Sequence, residues 1–360
     1  LSAQDNFQAI PGAGNGFEIT GIAGKVFKHE AKFNLPIPSI STGIDLVWLH
    51  NTYGKREWEQ RRHYPTIGVG INYINYGIDS VYGRNIAIYP CLELPIIKRK
   101  NIGWVLRIGN GIAYTTKKYS RQPPVDTINK AISNHINDFI IVRSDIRYHI
   151  NQHWDIQAGA NITHISNSSY RKPNLGVNMA GLHVGLTYFP ICSSPKHILY
   201  PWQLKKDRWL AQLRLGMSMV SAQAPLGPLY PVYVVSAYGS RRWLGKNKLM
   251  AGIDYSYHND INAYLRDNKL ETGREAAQSY KSAIFAGNEF LLGRVGIVLQ
   301  AGAYIKQAYI KRDAIYEKIG LSYYLVQKEN GALKECSLSV FLKMHQTVAE
   351  FGELAIGIGF

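Results

Sequence analysis

Polar and apolar residues alternate with a period of two along segment after segment, and nothing else in the sequence restricts the fold as tightly. Between residues 153 and 166, Trp154, Ile156, Ala158, Ala160 and Ile162 take the even positions, while His153, Asp155, Gln157, Gly159, Asn161 and Thr163 take the odd ones. The same contrast sets Trp104, Leu106, Ile108 and Ile112 against Arg107, Gly109 and Gly111, and Ile140, Val142, Ile146 and Tyr148 against Arg143, Asp145, Arg147 and His149. Successive side chains of a strand point to opposite faces, so each segment has one oily face and one that carries charge. Strands of soluble domains average about five or six residues. A strand that crosses a bilayer at a tilt needs about 9 to 11, apolar outward and polar inward, and these segments have that length. The pattern predicts an all-β chain forming a transmembrane antiparallel β-barrel.

Composition narrows the alternatives. Hydrophobic residues make up 46% and charged residues 18%, which excludes intrinsic disorder. Every apolar stretch is broken by a polar residue or a Gly-rich turn before it reaches the ~18 residues of a spanning helix. The 24 Tyr and 33 Gly fit a barrel with wet rims better than a soluble core. With 41 Lys+Arg against 25 Asp+Glu, the net charge of +16 calls for an anionic neighbour. There is no zinc spacing, RNP-like motif or basic helix with interleaved aromatics, so nucleic acid is not expected and phosphorylated lipid headgroups answer the charge. Cys91, Cys192 and Cys336 form neither a disulfide framework nor a CxxC site. The polar stretch at Leu1 suggests an export signal already removed.

Sixteen segments begin near residues 16, 41, 64, 83, 101, 136, 152, 175, 207, 231, 246, 279, 293, 313, 333 and 348. If the first runs outward, the tight connections at 99–101, 150–152 and 292–293 fall on the periplasmic side and the long polar loops 117–135 and 258–278 fall outside. That is the usual asymmetry, with 50–64 as an exception. A weak repeat relates 101–114 to 294–305 and VGINYINYG (69–77) to AGIDYSYHND (251–260), and the endings GLHVGLTYF (181–189) and LAIGIGF (354–360) are alike. The expected layout is an N-terminal segment 1–15, an eight-strand unit 16–190, a Pro-rich linker 191–206 and a second eight-strand unit 207–360. An aromatic end of the insertion-signal type, Phe360, is read once only. One barrel of about sixteen strands is therefore expected, with two tandem eight-strand barrels as the alternative.

No HExxH, GxSxG or phosphate-binding loop is present, and no cofactor or metal is implied. The remaining constellation is T-H-I-S-N-S-S-Y-R-K-P-N-L-G-V-N at 163–178. His164 and Ser166 share a strand face and continue the oily even series, where a polar pair is costly without a partner. An imidazole beside a hydroxyl at the lipid-facing rim suggests a serine hydrolase acting on a lipid of the outer leaflet. Ser166 is then the nucleophile, His164 the base and Asn178 the residue that orients the ring. Amides of Asn167, Asn174 and Gly176 are candidates for the oxyanion, and Arg171 and Lys172 for lipid phosphates.

The run H-x-S-N-x5-P-N-x-G, carried by His164, Ser166, Asn167, Pro173, Asn174 and Gly176, resembles the PagL-type outer-membrane lipid A deacylases. The resemblance implies an integral protein of the bacterial outer membrane that hydrolyses an ester-linked acyl chain of lipid A, with lipid A or lipopolysaccharide and outer-membrane lipids as partners. Two positions depart from the family. Its acid falls on Asn178, and a glycine after the serine–asparagine pair appears as Ser169. The second unit is degenerate, since its His345 is out of phase with Leu338, Val340, Leu342 and Met344 and has no serine two residues on. The alternative is a non-catalytic barrel subunit of an outer-membrane assembly, secretion or transport complex, with other outer-membrane proteins as partners.

Overall fold

The computed structural model describes residues 11–28, 33–123, 125–199, 208–221, 224–346 and 348–360. Most of the expected N-terminal segment, and residues 200–206 of the expected linker, lie outside the described residues. The first eight strands are β1 (Asn15–Val26), β2 (Ser41–Asn51), β3 (Thr66–Asn75), β4 (Arg84–Lys98), β5 (Ile102–Thr115), β6 (Ile136–His149), β7 (Trp154–Ser166) and β8 (Val177–Tyr188). The other eight are β9 (Trp209–Ser221), β10 (Leu229–Trp243), β11 (Asn247–His258), β12 (Tyr280–Leu292), β13 (Val295–Lys306), β14 (Ile315–Gln327), β15 (Glu335–His345) and β16 (Val348–Gly359). Two short helices, α1 (Glu57–Arg61) and α2 (Asn259–Asp267), occupy connections, and among the described residues no helix is long and apolar enough to cross a membrane.

The chain closes twice. β1 pairs with β8 through Ile19↔Leu186 and Gly21↔Val184, and β16 pairs with β9 through Leu354↔Met217 and Ile356↔Leu215. The expected single sixteen-strand barrel is thus corrected to the alternative, two closed antiparallel barrels of eight. The reason lies in the lumen. Arg107 on β5 reaches clear across to Glu18 on β1 at 2.8 Å, and also holds Glu93 on β4 at 2.9 Å. Arg143 meets Glu18 at 2.9 Å and Asp145 at 2.7 Å, while Arg147 meets Glu93 at 2.9 Å. Side chains meet across the axis only in a narrow cylinder; eight strands give an interior that side chains fill, whereas sixteen leave a water channel. Removing one partner from a buried ion pair costs about 3–5 kcal/mol, so these charges bind the wall to the closed form.

In the first barrel the polar set points inward and the apolar set outward. On β2, Asp45, Val47 and Leu49 are buried, while Ile44, Leu46 and Trp48 are exposed. Ile71, Ile88, Ile112, Ile162 and Val184 continue that apolar exterior around the wall, an area no water-soluble surface carries. Phe17, Trp48, Trp104, Tyr148, Trp154 and Tyr188 form a girdle at one end, with the Trp154 and Tyr188 rings 4.6 Å apart. At the other end the lumen is closed by hydrocarbon, including Ile74, Tyr76, Tyr82, Ile132, Phe139 and Ile165.

The 50–64 connection, the exception to the loop asymmetry, is a folded platform. It carries α1, and the described part of the following linker lies on it. Ile198 N–H donates to Tyr53 O at 2.7 Å, Asn51 Nδ2 to Ser193 O at 2.5 Å, and the Tyr64 and His197 rings stack at 3.6 Å.

The second barrel repeats the inside-out layout. Leu215, Met217, Ile253, Ile284 and Leu354 are exposed. Inside, Arg214 lies 3.6 Å from Asp254 and 4.5 Å over the Phe341 ring; Lys318 pairs with Glu353 at 2.9 Å, and Lys248 with both Glu289 and Glu335 at 3.0 Å. His345 is a lumen residue, with Nε2 3.1 Å from Glu350.

Candidate functional site

β7 and β8 bring the predicted residues together at the rim of the first barrel. His164 stands opposite Asn178 in the β7–β8 ladder and opposite Ile140 in the β6–β7 ladder. Its neighbours along the even face, Ile162 and Ala180 on the next strand, are exposed, so the imidazole faces outward. Asn178 Oδ1 lies 2.5 Å from His164 Nδ1. An amide oxygen only accepts, so Nδ1 carries the proton and Nε2 is left with its lone pair. With the proton on Nδ1, the ring has the tautomer in which Nε2 is the accepting nitrogen.

Ser166 is on the same face at the end of β7, 5% exposed. Asn174 Nδ2 donates to its Oγ at 2.9 Å. Asn174 is itself fixed, because its Oδ1 accepts from the Asn167 backbone N–H at 3.1 Å. Gly176 has φ +72°, and a Cβ there would lie 3.1 Å from His164 Cε1 and 3.7 Å from Ser166 Cβ. The glycine backbone therefore lies against the imidazole and within contact of the serine, and a side chain there would press on the His164 ring. Ser169, where the family pattern has glycine, has φ +61°; the left-handed conformation is kept at a cost of about 1–2 kcal/mol. Arg171 and Lys172 lie at the tip of this loop, with the Arg171 guanidinium 6.0 Å from the Tyr170 ring centre.

Three further contributors surround the site, none of them among the residues that the sequence pattern singles out. The 117–135 loop does not simply extend into solvent: its end runs beside the site loop, with Gly176 N–H donating to Ala131 O at 3.0 Å and Asn167 Nδ2 to Ser133 Oγ at 3.0 Å. On β6, Asp138 stands directly opposite Ser166, and Asn110 on β5 donates to Asp138 Oδ1 at 2.9 Å. Asn110 and Asp138 break the apolar even series of their strands just as His164 does, and that break is the signal available in the sequence. Among the described residues no group of three or more His, Cys, Asp or Glu is placed to hold a metal ion.

Residues 42–187 match the family model described as lipid A 3-O-deacylase (PagL), and residues 207–360 match that of the acyloxyacyl hydrolase C-terminal domain. The chain belongs to the PagL family. The crystal structure of the outer membrane enzyme PagL is similar over 47% of this chain and 97% of that one, at 13% identity and a TM-score of 0.35. That of Neisserial surface protein A is similar over 49% and 97%, at 10% identity and a TM-score of 0.33. No curated protein matches the sequence. With the family and the apolar exterior of both barrels together, the protein is an integral β-barrel of the bacterial outer membrane.

Proposed function

We propose that the first barrel is a serine esterase that removes an ester-linked acyl chain, at the 3-O position named for the family, from lipid A in the outer leaflet. The observation that carries this is the 2.5 Å contact between Asn178 Oδ1 and His164 Nδ1 on the hydrocarbon-facing wall, beside a serine whose oxygen already accepts from an amide. Ser166 Oγ attacks the ester carbonyl and its proton passes to His164 Nε2. The Asn174 amide, which already donates to Ser166 Oγ, is the donor for the developing oxyanion, and Asn167 holds Asn174 in place through its backbone N–H. His164 returns the proton to the leaving sugar hydroxyl, and water then releases the fatty acid from Ser166. Lipid reaches this pair from the bilayer, and the cationic tip with Arg171 and Lys172 suits the phosphates of lipid A. Asn178 orients the ring without offsetting the imidazolium charge, so turnover is slower than with a carboxylate there.

The test is to incubate the purified full chain, in detergent micelles, with lipid A and to follow the lipid by mass spectrometry. Loss of one acyl chain together with release of the free fatty acid is the expected result. Lipid A that keeps every chain would leave the non-catalytic barrel reading in its place.

Gly176→Ala is expected to lower this activity about tenfold or more while the barrel still folds. The new methyl presses on the His164 ring, and alanine at positive φ costs about 1–2 kcal/mol. Acyl release, measured beside resistance of the barrel to heating in sodium dodecyl sulfate, separates the two effects.

A further inference from the structure

The lumen of the second barrel holds a polar constellation that the lipid-facing site leaves unused. Ser256 and His258 on β11 both point inward, and the chain then turns into α2, which brings Asp260 beside the ring. Ser256 Oγ lies 3.1 Å from His258 Nε2, and His258 Nδ1 lies 3.7 Å from Asp260 Oδ1. That carboxylate oxygen is buried and has no hydrogen-bond partner among the described residues. Directly opposite Ser256 in the β11–β12 ladder stands Lys281, whose ammonium pairs with Glu350. His258, Asp260 and Lys281 line a small cavity of about 40 Å³; Ser256 lines not this one but a second, of about 10 Å³, with Lys281 on both. The Ser221 hydroxyl, also on the first cavity, is buried without a hydrogen-bond partner among the described residues.

Closing a barrel does not require this arrangement. In the internal repeat, VGINYINYGI at 69–78 aligns with AGIDYSYHND at 251–260, so Ser256, His258 and Asp260 stand where the first barrel has Ile74, Tyr76 and Ile78. Those three belong to, or pack against, the hydrocarbon that closes the first lumen. The second copy puts a hydroxyl, an imidazole and a carboxylate, in the order of a charge-stabilised nucleophile, where the first has two isoleucines and a tyrosine. Burying such groups is costly unless they are used or paired.

We propose that Ser256, His258 and Asp260 form a second nucleophilic site, facing the lumen, that hydrolyses short acyl esters bearing an anionic group. Ser256 Oγ attacks the acyl carbonyl as His258 Nε2 takes its proton. The carbon–oxygen bond to the alcohol breaks as His258 returns that proton, and a water molecule deprotonated by His258 then frees the carboxylic acid from the acyl-serine. Asp260 accepts the Nδ1–H bond, which shortens from 3.7 Å as the ring becomes charged. Lys281 attracts the anionic group. Neither space has room for a fatty chain, so this site and the lipid-facing one take different substrates.

The experiment uses the full chain in detergent with methanesulfonyl fluoride, a serine reagent of about acetyl size, and maps the modified peptides by mass spectrometry. Sulfonylation of Ser256 is expected. It should be slowed at least tenfold in His258→Gln and several-fold in Asp260→Asn, and unchanged in Ser166→Ala. Hydrolysis of p-nitrophenyl acetate by Ser166→Ala should fall when Ser256→Ala is added. An unmodified Ser256 in the wild-type chain, or modification at equal rate in both the His258 and Asp260 variants, overturns the proposal. Because Ser166 lies on a different peptide, failure at either site is read separately from the other.

Discussion

Ser166→Ala is expected to reduce the release of fatty acid from lipid A by about a thousandfold or more, to the background of the barrel without its nucleophile. In nucleophile–base units the members act together: removing one costs about as much as removing several, and what remains comes from the oxyanion donors and binding alone. His164→Ala should therefore give a similar loss, and the double variant little more than either. The structural cost is small. Ser166 sits at the strand end, and the variant gives up the 2.9 Å hydrogen bond from Asn174, worth about 1 kcal/mol. Mass spectrometry of lipid A after timed incubation gives the rates, and heat resistance of the barrel in sodium dodecyl sulfate serves as the folding control. If Ser166→Ala kept a tenth of the wild-type rate, Ser166 would not be the nucleophile.

Alternation alone locates the strands, each starting within two residues of where the pattern places it, because burial in hydrocarbon and burial in an ionic lumen enforce the period at every turn of the wall. Closure is not legible in that way. Parity says which face a residue takes, not how many strands stand between Arg107 and the carboxylate it reaches, and the distant Glu18 is visible only in three dimensions. The paired endings of the two halves hold the answer: Tyr188 and Phe189 end the first barrel on aromatics, as Phe360 ends the second. His164, Ser166 and Asn178 are readable because polar residues stand in the oily series. Asp138 and Asn110 obey the same rule but are harder to see, since the clear apolar run of β6 begins only at Ile140. Ser133 carries no such signal; it reaches Asn167 through a loop whose path the sequence does not encode locally.

Asn178→Asp is expected to raise the deacylation rate about 10- to 100-fold. In the template the change from aspartate to asparagine costs about 10⁴, largely through a wrong tautomer; Asn178 accepts from Nδ1 and keeps the right one, so what a carboxylate adds here is stabilisation of the imidazolium that forms as serine attacks. Aspartate at 178 is nearly isosteric, so the 2.5 Å contact to His164 Nδ1 is kept and only the charge is new. The gain falls short of the full factor for two reasons. Asp138, opposite Ser166, already places one carboxylate beside the site, and a second meets repulsion from it. The increase should appear in kcat, with KM for lipid A little changed, since the added interaction strengthens only as the ring becomes charged. Asp138→Asn in the wild-type background should act in the opposite direction, and more weakly in the Asn178→Asp background, where the new carboxylate has taken over the imidazolium. Equal rates for Asn178→Asp and wild type, with the contact to His164 intact, would mean that the chemical step does not pass through an imidazolium at this position.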